Sequence, residues 1–361
     1  MPTRRAFVAA ASAAGLAPSL GWADVGSPRY LAAARLAEGR YALFGLDASG
    51  RDLFGLALPE RGHAAAVHPD AAIAVAFARR PGRFALVIDC AAGVVRRRLE
   101  APEGRHFYGH GTFSRDGALL MTTENDYEAG EGRIGIWSVA EGYQRLGEVP
   151  SGGIGPHDLV RLPGSDILVV ANGGILTHPD TGRAKLNLPT MAPTLTYLSL
   201  ADGVLEQVSL PAAYRLNSIR HLAVRPDGLV AAAMQWQGAL TDIPPLLALH
   251  RLGGGAPVLL AAEAQEQRAT RGYAGSVAFS GDGAQVAFTA PRGGRLHAFD
   301  LRSRRLVRRV ERPDICGVAA APTGFFATDG LGGTILIPMG EAPIAEDTSS
   351  ARAWDNHLIA L

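Results

Sequence analysis

No stretch of eighteen or more apolar residues runs through this 361-residue chain, so no membrane-spanning helix is expected. Neither sign of charge dominates. The 35 basic and 34 acidic residues leave a formal charge of +1, which gives no electrostatic footprint for nucleic acid or for an anionic membrane. Cysteine is scarce: only Cys90 and Cys316 occur, and they fall in different repeats, which disfavours a disulfide between them. Familiar catalytic signatures are missing as well. There is no Gly-x-Ser-x-Gly elbow, no CxxCH haem attachment and no HExxH zinc helix. The glycines of PRGGR and LGG open no helix carrying a Walker-type Lys, so they are not phosphate cradles.

Hydrophobic residues make up 47% of the chain, ample for a large core, and the 44 glycines and 23 prolines are dispersed along its length. Turn formers spread in this way point to many short strands joined by tight turns, hence to an all-β chain. The first residues have a different character. Arg4 and Arg5 lie in TRRAFVA, an Ala-rich, mildly apolar stretch continues through Leu20, and Gly21 and Ala23 supply the small residues that a signal peptidase reads. The pattern resembles a twin-arginine export signal, with an ordinary secretory signal as the alternative. We therefore expect a leader over 1–23, a single domain over 24–361 and a periplasmic location. Twin-arginine export carries folded proteins, which permits a metal or cofactor to be acquired before transit.

Internal repetition is the most informative feature. HAAAVHPDAAIAVAFA from His63, HGTFSRDGALLMTTEN from His110, HDLVRLPGSDILVVAN from His157, HLAVRPDGLVAAAMQ from His221 and SVAFSGDGAQVAFTA from Ser276 share one pattern: a short strand, a turn and a second apolar strand. CGVAAAPTGFFATDG from Cys316 is a weaker copy. Further strand-like stretches follow each pair, so each unit supplies about four antiparallel strands, the make-up of a propeller blade. Six units run from His63 to about Ala345. Three strands before them and the terminal HLIAL after them complete a seventh. The expected fold is a seven-bladed β-propeller whose last blade is closed by N- and C-terminal strands, with a β-sandwich as the alternative. RSRRLVRRV (302–310) reads as a solvated outer strand.

Five of the seven expected innermost strands begin with histidine: His63, His110, His157, His221 and His357. Converging at one channel mouth, such imidazoles can bind copper, iron or zinc. The alternative is a structural histidine of the WD-repeat kind, which GHG at Gly109–Gly111 looks like. The loops after the second strands read as long in blades two to four, and long loops on a rigid scaffold are where binding concentrates. They nominate Glu124, Asn125, Asn172, His178 and Gln235 as ligand-binding candidates, unless these residues merely cap strand ends.

GRHFYGHGTFSRDG, TEN, IGPHDL, VVANGGILTHP, SIRHL, GYAGSVAF and the terminal WDNHL together resemble the bacterial family known as domain of unknown function 1513. The resemblance covers nearly the whole mature chain. It implies an exported propeller of the quinoprotein amine dehydrogenase β-chain type. It also implies a role in periplasmic iron handling beside imelysin-like and di-haem peroxidase-like partners, without implying a reaction. The functional expectation is thus a periplasmic metal-binding module, the metal being iron or copper. A lactonase-like hydrolase, a copper-histidine redox enzyme and a scaffold without a small ligand are the alternatives.

Overall fold

The structure is a computed structural model that describes residues 20–78, 82–346 and 351–361. The twin-arginine motif expected over the first residues lies outside them. The end of the expected leader is described: Trp22–Val25 form a 3-10 turn, and the Trp22 indole donates to the His68 carbonyl at 3.0 Å.

Strands come in consecutive sets of four. β1 (Tyr30–Leu36), β2 (Tyr41–Leu46) and β3 (Asp52–Leu58) precede β4 (Gly62–Val67), β5 (Ile73–Ala78), β6 (Phe84–Asp89) and β7 (Val94–Glu100). Blade two holds β8 (Arg105–Phe113), β9 (Leu119–Asp126), β10 (Glu131–Ser138) and β11 (Gln144–Pro150). Blade three holds β12 (Pro156–Arg161), β13 (Leu168–Asn172), β14 (Thr194–Ser199) and β15 (Gly203–Ser209). Blade four holds β16 (Asn217–Val224), β17 (Val230–Trp236), β18 (Leu247–His250) and β19 (Val258–Leu260), followed by helix α1 (Ala264–Ala269). Blade five holds β20 (Ser276–Phe279), β21 (Gln285–Ala290), β22 (Arg295–Asp300) and β23 (Leu306–Glu311). Blade six holds β24 (Ile315–Ala321), β25 (Gly324–Asp329), β26 (Thr334–Pro338) and β27 (Ile344–Glu346), and β28 (Arg352–Ala360) ends the chain.

Each set forms one antiparallel sheet in sequence order, with a single exception. β28 adds to β1, giving the order β28-β1-β2-β3. Seven four-stranded sheets, the last joining both ends of the chain, make the fold a seven-bladed β-propeller, as the repeats predict. The hairpins recur because their turns are chemically alike. In SRDG and SGDG the serine hydroxyl donates to the aspartate two residues on, at 2.6 Å for both Ser114–Asp116 and Ser280–Asp282. The same carboxylates accept the backbone N–H of Ala118 and Ala284 at 3.0 Å, and these bonds hold both acids below the usual carboxylate range. Outer strands are solvated, as the basic-apolar alternation predicts: β23 exposes half of its residues and buries only Val310, and β7 exposes all but Leu99.

The chain clusters into two compact units. Among the described residues one holds 20–27 and Ala65–Ser209, and the other holds Pro28–Ala64 and Leu210–Leu361. In the first, Val75, Phe77, Phe107, Phe113 and Trp137 pack one core cluster and Met121, Ile134, Val170 and Leu198 another. In the second, Tyr30 stacks on Phe326 at 4.7 Å, and Trp354 and Leu358 of β28 close the same cluster over Cys316. Cys90 and Cys316 are buried free thiols, both pushed up to about 12 by burial.

One expectation about the loops is corrected. β9 runs on through Asp126 and β10 starts at Glu131, so the ENDYEAGEGR segment of blade two is mostly strand. Glu124 and Asn125 stand in the ladder opposite Arg133 and Gly132.

Candidate functional site

In a regular strand, neighbouring side chains point to opposite faces, and a bulge breaks that alternation locally. Four histidine-bearing first strands carry such a break at the histidine or directly beside it. In blade two the β8–β9 register shifts between Phe107 and Gly111, around His110. In blade three it shifts between Pro156 and Asp158, which makes His157 the extra residue. In blade four Arg220 is the extra residue, immediately before His221. In blade seven the β1–β28 register breaks between Ala32 and Ala34, where Asp355–His357 bulge out. Gly109 has φ +100°, a conformation open to glycine and strained for other residues, and it directs the chain into the His110 bulge. The Thr123 hydroxyl then pins that bulge by donating to the His110 carbonyl at 3.1 Å.

Within the first unit, His110 and His157 lie with ring centroids 5.2 Å apart and planes at 45°. Both are largely withdrawn from solvent. Nδ1 of His110 sits 3.0 Å from Oδ1 of Asp158, whose side chain is also buried. A carboxylate at Nδ1 fixes the tautomer that leaves the lone pair on Nε2, the arrangement of a metal-ligating histidine with its supporting acid. Within the second unit, His357 meets two partners: His63 at 4.5 Å with rings nearly perpendicular, and His221 at 4.7 Å. Ligand nitrogens of His63 and His357 come within 4.8 Å of one another, as do those of His110 and His157. Two imidazoles on one tetrahedral ion, with metal–nitrogen bonds of about 2.1 Å, put their centroids about 5 Å apart. The observed separations are close to that spacing.

A family model described as "Protein of unknown function (DUF1513)" matches residues 56–361, most of the chain. The chain belongs to the DUF1513 family. No curated protein sequence matches it significantly. Among solved structures it is similar to Kuenenia stuttgartiensis hydrazine synthase, at 13% identity and a TM-score of 0.60, over 86% of this chain and 90% of that one. It is also similar to a chain in the crystal structure of the mitotic checkpoint complex, at 12% identity and a TM-score of 0.55, over 83% and 76%. These likenesses concern the fold.

The other five candidates of this DUF1513 chain are not gathered into one group. Glu124 is fully enclosed: Thr122 donates to one carboxylate oxygen at 2.9 Å and Arg145 to the other at 2.7 Å. Burial raises this carboxyl and Arg145 pulls it back. The amide of Asn125 donates to His106 Nε2 at 3.0 Å and to the Thr177 carbonyl at 3.3 Å. Asn172 donates to the Ser151 carbonyl and the Thr196 hydroxyl, both at 3.1 Å, and accepts from the Ser151 hydroxyl at 2.7 Å. Gln235 donates to the Ala274 carbonyl at 3.2 Å. His178 caps a 3-10 turn at the surface, accepting from the Asp180 N–H at 3.3 Å and lying edge-on to Tyr127. Glu124, Asn125, Asn172 and Gln235 lie on second strands, close in the ladder to the bulges of the first; Asn125, Asn172 and Gln235 hold backbone carbonyls of neighbouring segments, and Glu124 holds side chains alone.

Glu124→Ala therefore removes the carboxylate that a largely buried guanidinium faces. The expected loss is about 2 kcal/mol, reduced from the usual penalty because Arg145 keeps Glu148 at 2.8 Å and is partly exposed. It should appear as a lower urea midpoint with an unchanged slope.

Two residues of the histidine groups escape sequence reasoning. Asp158 follows His157 directly, and strand alternation would place it on the opposite face. Asp355, buried and held by Arg61 at 2.7 Å, lies two residues before His357, a spacing that alternation would put on one face, but the register break at Asp355–His357 suspends that rule. The signal available was the adjacency itself, HD in IGPHDL and DNH in WDNHL.

Proposed function

We propose that this DUF1513 propeller is a binding module whose first-strand histidines take up a transition-metal ion. The observation that carries the reading is the set of bulges that turn His110 and His157, and separately His221 and His357, to within imidazole-sharing distance of a neighbour. The Asp158–His110 contact supports it, because an acid behind a ring nitrogen is what orients a ligand. An all-imidazole donor set suits copper, zinc or iron in the divalent state and offers nothing to magnesium or calcium. Iron or copper handling in the periplasm, beside imelysin-like and di-haem peroxidase-like proteins, fits the twin-arginine pattern at Arg4 and Arg5 and the family to which the chain belongs.

The test is calorimetric titration of untagged protein with copper, zinc and ferrous ions. Asp158→Asn keeps the shape and loses the charge behind His110, so affinity should fall about 10–100-fold with the fold intact. Unchanged affinity in that variant would mean that His110 is not a ligand. Affinity should also fall as pH drops below about 6.5, where imidazoles take up protons in competition with the metal.

A further inference from the structure

Among the buried titratable groups outside the histidine groups, His297 on β22 stands out. Its side chain has no exposed surface, and neither ring nitrogen has a hydrogen-bond partner within the described residues. Its nearest charged neighbour comes from another element: Oε2 of Glu266, on α1, lies 3.4 Å from Nε2 and is itself a buried oxygen without a hydrogen bond. The other oxygen of Glu266 accepts from Arg309 of β23 at 2.9 Å. Arg295, two residues before His297, is paired to Glu311 at 2.6 Å. The charged groups around the imidazole are thus one carboxylate and two guanidiniums, Arg295 and Arg309. Phe288 covers it edge-on at 5.6 Å.

α1 belongs to a segment, 261–275, that leaves blade four and returns at β20. The segment is seated tightly at the β21–β22 turn: Gly293 abuts the Ala269 carbonyl and the Thr270 backbone so closely that no β-carbon fits. Its far end is tied to blade four. Trp236 donates its N–H to the Gly272 carbonyl at 2.8 Å, Ala274 donates to the Met234 carbonyl at 3.1 Å, and Tyr273 bridges Gln235. Met234 and Ala233 are the residues opposite the His221 bulge. The segment therefore connects the His297–Glu266 contact to the backbone that presents His221.

We propose that His297 and Glu266 form a proton-sensitive latch, which holds the 261–275 segment closed at neutral pH and releases it on acidification, loosening the support of His221. An imidazolium in this enclosure would face two guanidiniums and a single carboxylate while withdrawn from bulk solvent. Burial accordingly lowers the proton affinity of His297 below that of an open histidine, with Glu266 acting in the opposite sense. The direction follows from linkage. A folded-state value below the unfolded one means that the closed form binds the proton less well. Its stability is full above about 6.5 and is lost as pH falls toward the lowered value. The link to His221 rests on the metal-binding reading, whereas the latch does not.

Hydrogen exchange of the full metal-free chain, corrected for intrinsic rates, reads the latch directly. Between about pH 7.5 and about pH 5.5, peptides over 261–275 should lose about tenfold in protection, while those over β8–β11 keep theirs. His297→Phe, which keeps the ring volume against Phe288, should abolish that acid response. Glu266→Gln removes the carboxylate and should leave the segment less protected at both pH values. An acid response that is absent in the wild type, or equal in His297→Phe, overturns the latch. Zinc titrations at the same two pH values read the connection: wild type should lose affinity more steeply than His297→Phe, and equal losses overturn the link to His221. If neither protein binds zinc, the metal reading falls, and the exchange result still decides the latch.

Discussion

A chain carrying His110→Ala and His157→Ala is expected to lose metal affinity at the first unit by more than about 100-fold, because both proposed ligands there go at once and Asp158 loses the ring it orients. The His110 ring touches His157 and Asp158, and neither ring belongs to the apolar clusters of that unit. The double variant should therefore still fold, with the strand-rich circular dichroism of the parent and a cooperative transition. His178→Ala is the matched control: that ring caps a surface turn, and its removal should leave affinity unchanged. Equal binding by the double variant and the control would remove His110 and His157 from the site.

The second large effect concerns the fold. Deleting 352–361 removes β28, which pairs with β1 from Arg352 opposite Leu36 to Ala360 opposite Tyr30. It also withdraws Trp354, whose indole donates to the Gly332 carbonyl at 3.1 Å, and Leu358 from the core over Cys316. Losing those two side chains alone costs about 5–10 kcal/mol, comparable with the whole stability of an ordinary domain. The truncated chain should show no cooperative unfolding transition and should recover nothing on refolding. A truncated chain that melts like the parent would mean that β28 is dispensable to the blade.

The parts of this molecule that were legible in the sequence are those set by local chemistry. A Ser-x-Asp-Gly turn determines its own hairpin, so SRDG and SGDG mark their blades without reference to anything distant. The joining of β28 to β1 was readable because three strands before His63 and one at the C-terminus add up to one blade. The bulges were not readable. One extra residue in a strand leaves no compositional trace, yet it decides which way His157 and Asp158 point. Blade two misled for another reason. ENDYE looks like a loop because it is polar, but two of its acids are matched by arginines of the same sheet, Asp126 by Arg105 on β8 and Glu124 by Arg145 on β11, and Glu148 of β11 is shared by Arg105 and Arg145. Charge compensated across strands keeps a polar segment in the sheet.

The most direct test is the metal content of untagged protein, purified without chelators and measured by elemental mass spectrometry against protein concentration. Histidines brought to sharing distance by four separate bulges predict a stoichiometric transition metal, retained through gel filtration and clearly lowered in the His110→Ala, His157→Ala protein. Only traces of metal, before and after incubation with copper, zinc and ferrous salts, would contradict the account and leave those bulges as features of the fold alone.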